Sequence, residues 1–152
     1  MITHYVGIDP GVGGSVVVLS PRGSKVQKIL NTETLKDRLE FLRGIGSPCT
    51  VVGRIEEVPT AIFGAGKSSC SKLYGSYREL AALLLAVGIA FEPVRPVVWQ
   101  RGVGVPARKK GETATAWKNR LKGRAQALFP SEKVTLATAD ALLIAEFARR
   151  VG

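Results

Sequence analysis

The stretch Tyr5-Val6-Gly7-Ile8-Asp9-Pro10-Gly11-Val12-Gly13-Gly14-Ser15-Val16-Val17-Val18-Leu19 reads as two apolar strands joined by a glycine-rich turn, with an acid closing the first strand. The run before Asp9 is apolar and β-branched enough to be buried, where a charge is costly unless something compensates it. Asp-Pro-Gly is also a good turn, and aspartate readily bonds its own backbone in turns. That local explanation competes with a functional one. The glycines that follow permit close backbone approach to a ligand.

Working outward, two more acids sit in similar settings. Glu56 ends the run from Cys49 to Ile55, and Asp140 precedes Ala141-Leu142-Leu143-Ile144-Ala145. Strand alternation sends Glu56 and its neighbour Glu57 to opposite faces, so at most one of them serves a site. Glu56 is the choice because it directly follows the apolar run. The pattern places Asp140 in the first turn of a final helix capped by Thr138, on the face shared with Leu143, Ile144 and Phe147. An acid near a helix start gains a fraction of a kcal/mol from the dipole. Burying an uncompensated carboxylate costs several kcal/mol, and divalent metal ions resolve that imbalance. Mg²⁺ takes oxygen ligands, so it needs no cluster of His or Cys. The lone His4 reads as a surface or packing residue.

Apolar runs at 4–8, 15–19 and 25–30 predict three antiparallel strands, and Thr34 opens a helix that carries Leu35, Leu39 and Leu42 and stops at Gly44. A strand at 49–56, a Pro/Gly/Ala-rich loop at 57–67 and a long helix to about Val87 follow. Leu73, Tyr77, Leu80, Leu84 and Val87 form a stripe on that helix which suits either core or a partner. A short strand Ile89 to Val94 leads through a basic, glycine-rich loop at 101–112. Helices at about 114–128 and from about Thr138 complete the chain. The order βββαβαβαα predicts an α/β fold: one domain over residues 1–152 with a five-stranded mixed sheet flanked by helices.

The chain of 152 residues carries 22 Lys and Arg against 12 Asp and Glu, a net charge of +10. Between Arg101 and Ala125 lie eight basic residues (Arg101, Arg108, Lys109, Lys110, Lys118, Arg120, Lys122, Arg124) and one acid, Glu112. Such a concentration is the footprint of a phosphate-backbone binder, or more blandly a solvated helix face and loop. The segment lacks the broad apolar face that a membrane surface requires. No stretch reaches the roughly twenty apolar residues of a spanning helix. No targeting segment is visible, and Cys49 and Cys70 are too few for a disulfide framework or a zinc site. A reducing, cytoplasmic setting, bacterial or phage-encoded, is the expectation.

Gly7-Ile8-Asp9-Pro10-Gly11, Ile55-Glu56-Glu57-Val58, Val97-Val98-Trp99-Gln100 and Ala139-Asp140-Ala141-Leu142-Leu143-Ile144-Ala145, in this order and spacing, resemble the motifs of RuvC-type Holliday junction resolvases. The stretch from Trp99 to Pro130 looks most like phage and organellar members. The resemblance implies a ribonuclease H-like fold, a homodimer, and Mg²⁺- or Mn²⁺-dependent paired nicking of four-way DNA junctions in recombination and repair, with two ions per site. By position it implies Asp9, Glu56 and Asp140 as metal-binding acids. A basic residue ahead of the penultimate helix assists at the scissile phosphate in the family, and Lys122, or Lys118 one turn earlier, matches it. Phe63, Lys67, Arg101, Arg108, Lys109, Lys110 and Arg120 are the expected DNA contacts. The alternatives are a non-catalytic or weakly active junction-binding protein, another nuclease of this fold acting on RNA or duplex DNA, and an actin-like phosphotransferase fragment. The last is disfavoured by length and by the lack of a second Gly-rich turn.

Three positions depart from the family pattern. Where a second acid or a His is usual, one helical turn before the last Asp, this chain has Ala137. That alanine is consistent with a three-carboxylate site, a ligand from elsewhere, weak activity or an engineered substitution. A family lysine before Gln100 is replaced by Trp99, and Arg101 offers a substitute. The aromatic wedge that follows the Glu in many members falls at about Pro59, with Phe63 the nearest aromatic: a base-stacking residue or a loop anchor.

Overall fold

The computed structural model describes residues 2–28, 34–45, 50–58 and 67–152, with the side chains of 26–28, 67 and 69 outside the description. The elements are β1 (Thr3–Asp9), β2 (Ser15–Ser20), β3 (Gly23–Lys28), α1 (Leu35–Arg43), β4 (Thr50–Glu56), α2 (Lys67–Ala86), β5 (Phe91–Val94), α3 (Pro96–Gly102), α4 (Ala114–Leu128) and α5 (Leu136–Val151). The sheet order is β3-β2-β1-β4-β5. The β1–β2 and β2–β3 pairs are antiparallel, whereas β4 runs parallel to both β1 and β5. This is the five-stranded mixed sheet expected from the apolar runs.

Strand alternation sorts the sheet into two faces. Val6, Ile8, Val16, Val18 and Ile55 point to one side, where they pack with Leu42 of α1 and with Leu80 and Leu84 of α2. The α2 stripe is therefore core-facing at these positions, while Tyr74 and Leu85 lie on its exposed side. The other face carries Tyr5, Val17 and Leu19 under α5, α3 and α4. α5 is buried without interruption from Thr138 to Ala148. It can lie so close to β1 because Gly7 has no side chain: a Cβ there would collide with the backbone of Ala141 and Ala145. Ala141 and Ala145 are small for the same reason, and this contact sets the height of α5 above the strand ends.

Two elements differ from the sequence reading. Pro96–Gly102 is a helix rather than the approach to a loop, with Pro96 at its start, where a missing N–H costs nothing. The exposed Val97 and Val98 hide it from a periodicity search. α5 begins two residues before Thr138, with Thr135 as the cap. Thr138 Oγ1 accepts from the Thr135 backbone N–H at 3.0 Å, which makes Thr138 the returning member of a capping box. Asp140 therefore lies in the second turn, beyond the strongest part of the helix dipole.

Candidate active site

Ile8 and Ile55 are register partners on the adjacent parallel strands β1 and β4, and both point to the α1/α2 side. The next residues, Asp9 and Glu56, therefore stand side by side on the opposite face, at the carboxyl ends of their strands. α5 crosses above them, and its contact with Gly7 at Ala141 brings the preceding residue, Asp140, over the same edge.

Each acid meets a different donor. Asp9 Oδ1 accepts from the Gly11 backbone N–H at 3.0 Å, so the turn explanation is correct as far as it goes. Glu56 Oε2 accepts from the indole N–H of the fully buried Trp99 at 2.9 Å. Asp140 Oδ2 is ion-paired with Lys118 of α4, whose side chain is half-exposed. The second oxygen, Oδ1, is buried without a hydrogen-bond partner among the described residues.

These donors do not balance the charge. Burial, and then the charge of Asp140, holds the Asp9 carboxyl above the ordinary aspartate range against its Gly11 hydrogen bond. Burial, followed by Asp9 and Asp140, pushes Glu56 up to about 7, and the Trp99 bond offsets only part of this. Burial lowers the Lys118 pKa, but the Asp140 charge and hydrogen bond, with Asp9 and Glu56 behind them, outweigh it and the net shift is upward. Among the described residues, one lysine thus faces three carboxylates.

Among the described residues no three His, Cys, Asp or Glu side chains converge as a ready metal-ligand set. Lys118, Trp99 and Gly11 hold the three acids towards separate donors. The surplus negative charge, the oxygen-only donors and the orphaned Asp140 Oδ1 nevertheless fit a hard divalent cation. Ala137, whose carbonyl accepts from Ser15 Oγ at 3.0 Å, contributes backbone rather than a fourth carboxylate. A cavity of about 620 Å³ lined by His4, Arg22 and Phe41 lies under α1, away from the acids.

Of the two candidate lysines, Lys118 is at the acids, whereas Lys122 forms no hydrogen bond or ion pair among the described residues. Arg101 is exposed in the last turn of α3, and Lys109 and Lys110 are exposed in the following loop. The guanidinium groups of Arg108 and Arg120 are engaged within that loop, on the Glu112 carbonyl and the Glu112 carboxylate respectively. Phe63, Pro59 and the Lys67 side chain lie outside the described residues. The sequence reading missed Trp99 as a partner of Glu56. The available signal was its position, which carries a lysine in the resembled family and keeps an N–H donor here.

Two solved structures of Thermus thermophilus RuvC, the second of them in complex with a Holliday junction substrate, match this architecture. Both have a TM-score of 0.58, cover 100% of the chain and 97% and 96% of their own, and share 16% identity with it. The chain has the RuvC fold. At this identity the likeness is one of architecture, spanning the whole of the sheet and all flanking helices. No protein-family model and no curated protein sequence matches the chain. The RuvC-type resemblance read from the motifs therefore rests on fold and motif together.

Proposed function

We propose that this protein is a metal-dependent endonuclease that resolves four-way DNA junctions by paired nicks. The observation that carries the proposal is the mutual electrostatic influence of Asp9, Glu56 and Asp140 at one sheet edge of a RuvC fold, with Lys118 the one cation at them among the described residues. Asp9, Glu56 and Asp140 would hold Mg²⁺ or Mn²⁺, which supplies Lewis-acid activation of water and stabilises the leaving oxygen in phosphodiester cleavage. The chain's own contributions are separable. The three acids set the negative charge that attracts the cation, and Trp99 fixes the orientation of Glu56. Lys118, half in solvent, offers a permanent positive charge to a phosphate at the rim. The basic surface beyond it attracts the DNA backbone. Symmetric cuts require two such sites, which a homodimer provides.

A second reading, junction binding without cleavage, is favoured by Ala137 and by the engaged state of all three acids. A substrate panel with Mg²⁺ or Mn²⁺ separates the readings. Paired nicks on a mobile four-way junction support the proposal. Binding without nicks supports the second reading, and preferential cleavage of RNA or linear duplex overturns both.

A further inference from the structure

The segment from Val103 to Glu112 has no regular secondary structure, yet it is cross-braced by side chains. Arg120, on α4, makes four hydrogen bonds into it. Its Nε and Nη2 reach Glu112 Oε1 and Oε2 at 3.1 and 2.8 Å, and its Nη1 and Nη2 reach the carbonyls of Pro106 and Ala107 at 3.0 and 3.2 Å. The same guanidinium lies 4.5 Å from the centre of the Trp117 ring. Glu112 Oε2 in turn accepts from the Lys109 backbone N–H at 3.0 Å. The Glu112 carbonyl accepts from Arg108 Nε and Nη2 at 3.1 and 2.7 Å. Gly111 sits at φ +79°, which lets the chain turn back to bring Glu112 under Arg120.

Glu112 is the only acid in the basic segment, and its side chain is mostly covered. Arg120 holds its carboxyl below the ordinary glutamate range, so it stays ionised and keeps the planar fork-to-fork pairing. Two of the four cations from Arg108 to Arg120 outside the site are thus spent inside the loop. Lys109 and Lys110 remain at its exposed tip without an ion pair among the described residues. Both the brace and Lys118 belong to α4, two residues apart, so the loop is anchored to the helix that reaches the carboxylates.

We infer that the Arg120–Glu112 pair is a clasp that holds residues 103–112 as a preformed platform, presenting Lys109 and Lys110 to DNA phosphates beside the site. Arg120 and Glu112 are positioning residues, and the two lysines make the contact. This rests on the proposal that the protein binds branched DNA.

The test exploits opposite signs. Glu112→Gln makes the protein one charge more positive, so if Glu112 were a bystander, junction binding would tighten. A clasp predicts that binding weakens by about fivefold, because a loosened loop must be ordered on binding. Fluorescence anisotropy with a labelled four-way junction, over a range of salt, measures this for the wild type, Glu112→Gln, Arg120→Met and the double variant. The double variant should bind no more weakly than either single one, since each breaks the same contact. Limited trypsin digestion gives a readout without DNA: cleavage at Arg108, Lys109 and Lys110 should be slow in the wild type and fast in all three variants, with thermal melts confirming retained fold. If the wild type fails to bind junctions, the functional proposal falls, and trypsin alone judges the clasp. If the wild type binds and Glu112→Gln binds tighter, or if trypsin cuts all forms equally, the clasp is overturned.

Discussion

The indole N–H of Trp99 donates to Glu56 Oε2 at 2.9 Å and ties α3 to the end of β4. Trp99 is fully buried, so the bond lies in a low-dielectric setting where a lost partner is not replaced by water. Trp99→Phe keeps most of the ring and removes the donor. It should cost about 1–3 kcal/mol of stability. It should also raise Glu56 further above its position near 7, since the bond is the larger of the two influences, with the Lys118 charge, that lower it. The acid limb of the cleavage pH profile should move to higher pH, and an unmoved limb would separate Glu56 from the chemistry.

Stability in the absence of metal should fall as pH rises. Glu56 has its folded-state pKa raised from 4.5 to about 7, and Asp9 is raised for the same reason, burial among acids. Below pH 4.5 a glutamate is protonated in both states. Between 4.5 and about 7 the folded protein holds a proton that the unfolded chain releases, so the stability gained from protonation is lost through this window. The loss from Glu56 is at most about 3 kcal/mol. Glu146, held below the ordinary range despite burial by Arg149 and Arg150, acts in the opposite sense, but only below that range. Thermal melts between pH 5 and 8 in chelator should show the decline, and Mg²⁺ or Mn²⁺ should reverse it at the upper end. A flat profile would mean that the acids are not coupled as described.

Gly7→Ala tests the seat of α5. The added methyl meets the Ala141 carbonyl and the Ala145 backbone, neither of which can rotate away. A loss of about 3 kcal/mol or more is expected, read as a drop in Tm of roughly 6–12 °C. Because the same contact sets Asp140 over Asp9, activity should fall by more than the loss of folded protein explains.

The two lysines make opposing predictions. Lys118→Ala should lower cleavage by about 10²-fold or more, the scale of losing one charge stabiliser at a reacting phosphate. Lys122→Ala should leave the rate within about threefold, since a half-buried side chain with no ion pair or hydrogen bond among the described residues contributes little. Single-turnover rates on a junction decide between them.

The sheet and the three acids were legible in the sequence because each acid ends or follows an apolar run, and burial of a strand is written in consecutive residues. Strand alternation alone favoured one of Glu56 and Glu57, whereas the pairing of Asp9 with Glu56 needed the β1–β4 register. What the sequence did not show are relations between distant segments. Trp99 bonds a residue 43 positions away, and neither periodicity nor composition encodes that. The Arg120–Glu112 pair was not legible either, because a basic residue in a basic segment carries no mark of an internal partner. α3 was hidden by two exposed valines, and the start of α5 by Thr138, which resembles a cap and is the returning half of one.

On the proposed function, Asp9, Glu56 and Asp140 form a metal-dependent catalytic centre on a junction-binding surface. Asp9→Asn tests it most directly, in paired cleavage and binding measurements on a four-way junction with Mg²⁺ or Mn²⁺. The wild type should make paired nicks only with metal; Asp9→Asn should make none and should bind junctions as tightly as the wild type or more so, because a negative charge near phosphate has been removed. Undiminished cleavage by Asp9→Asn, or lost binding in a variant that melts like the wild type, would contradict the proposed function.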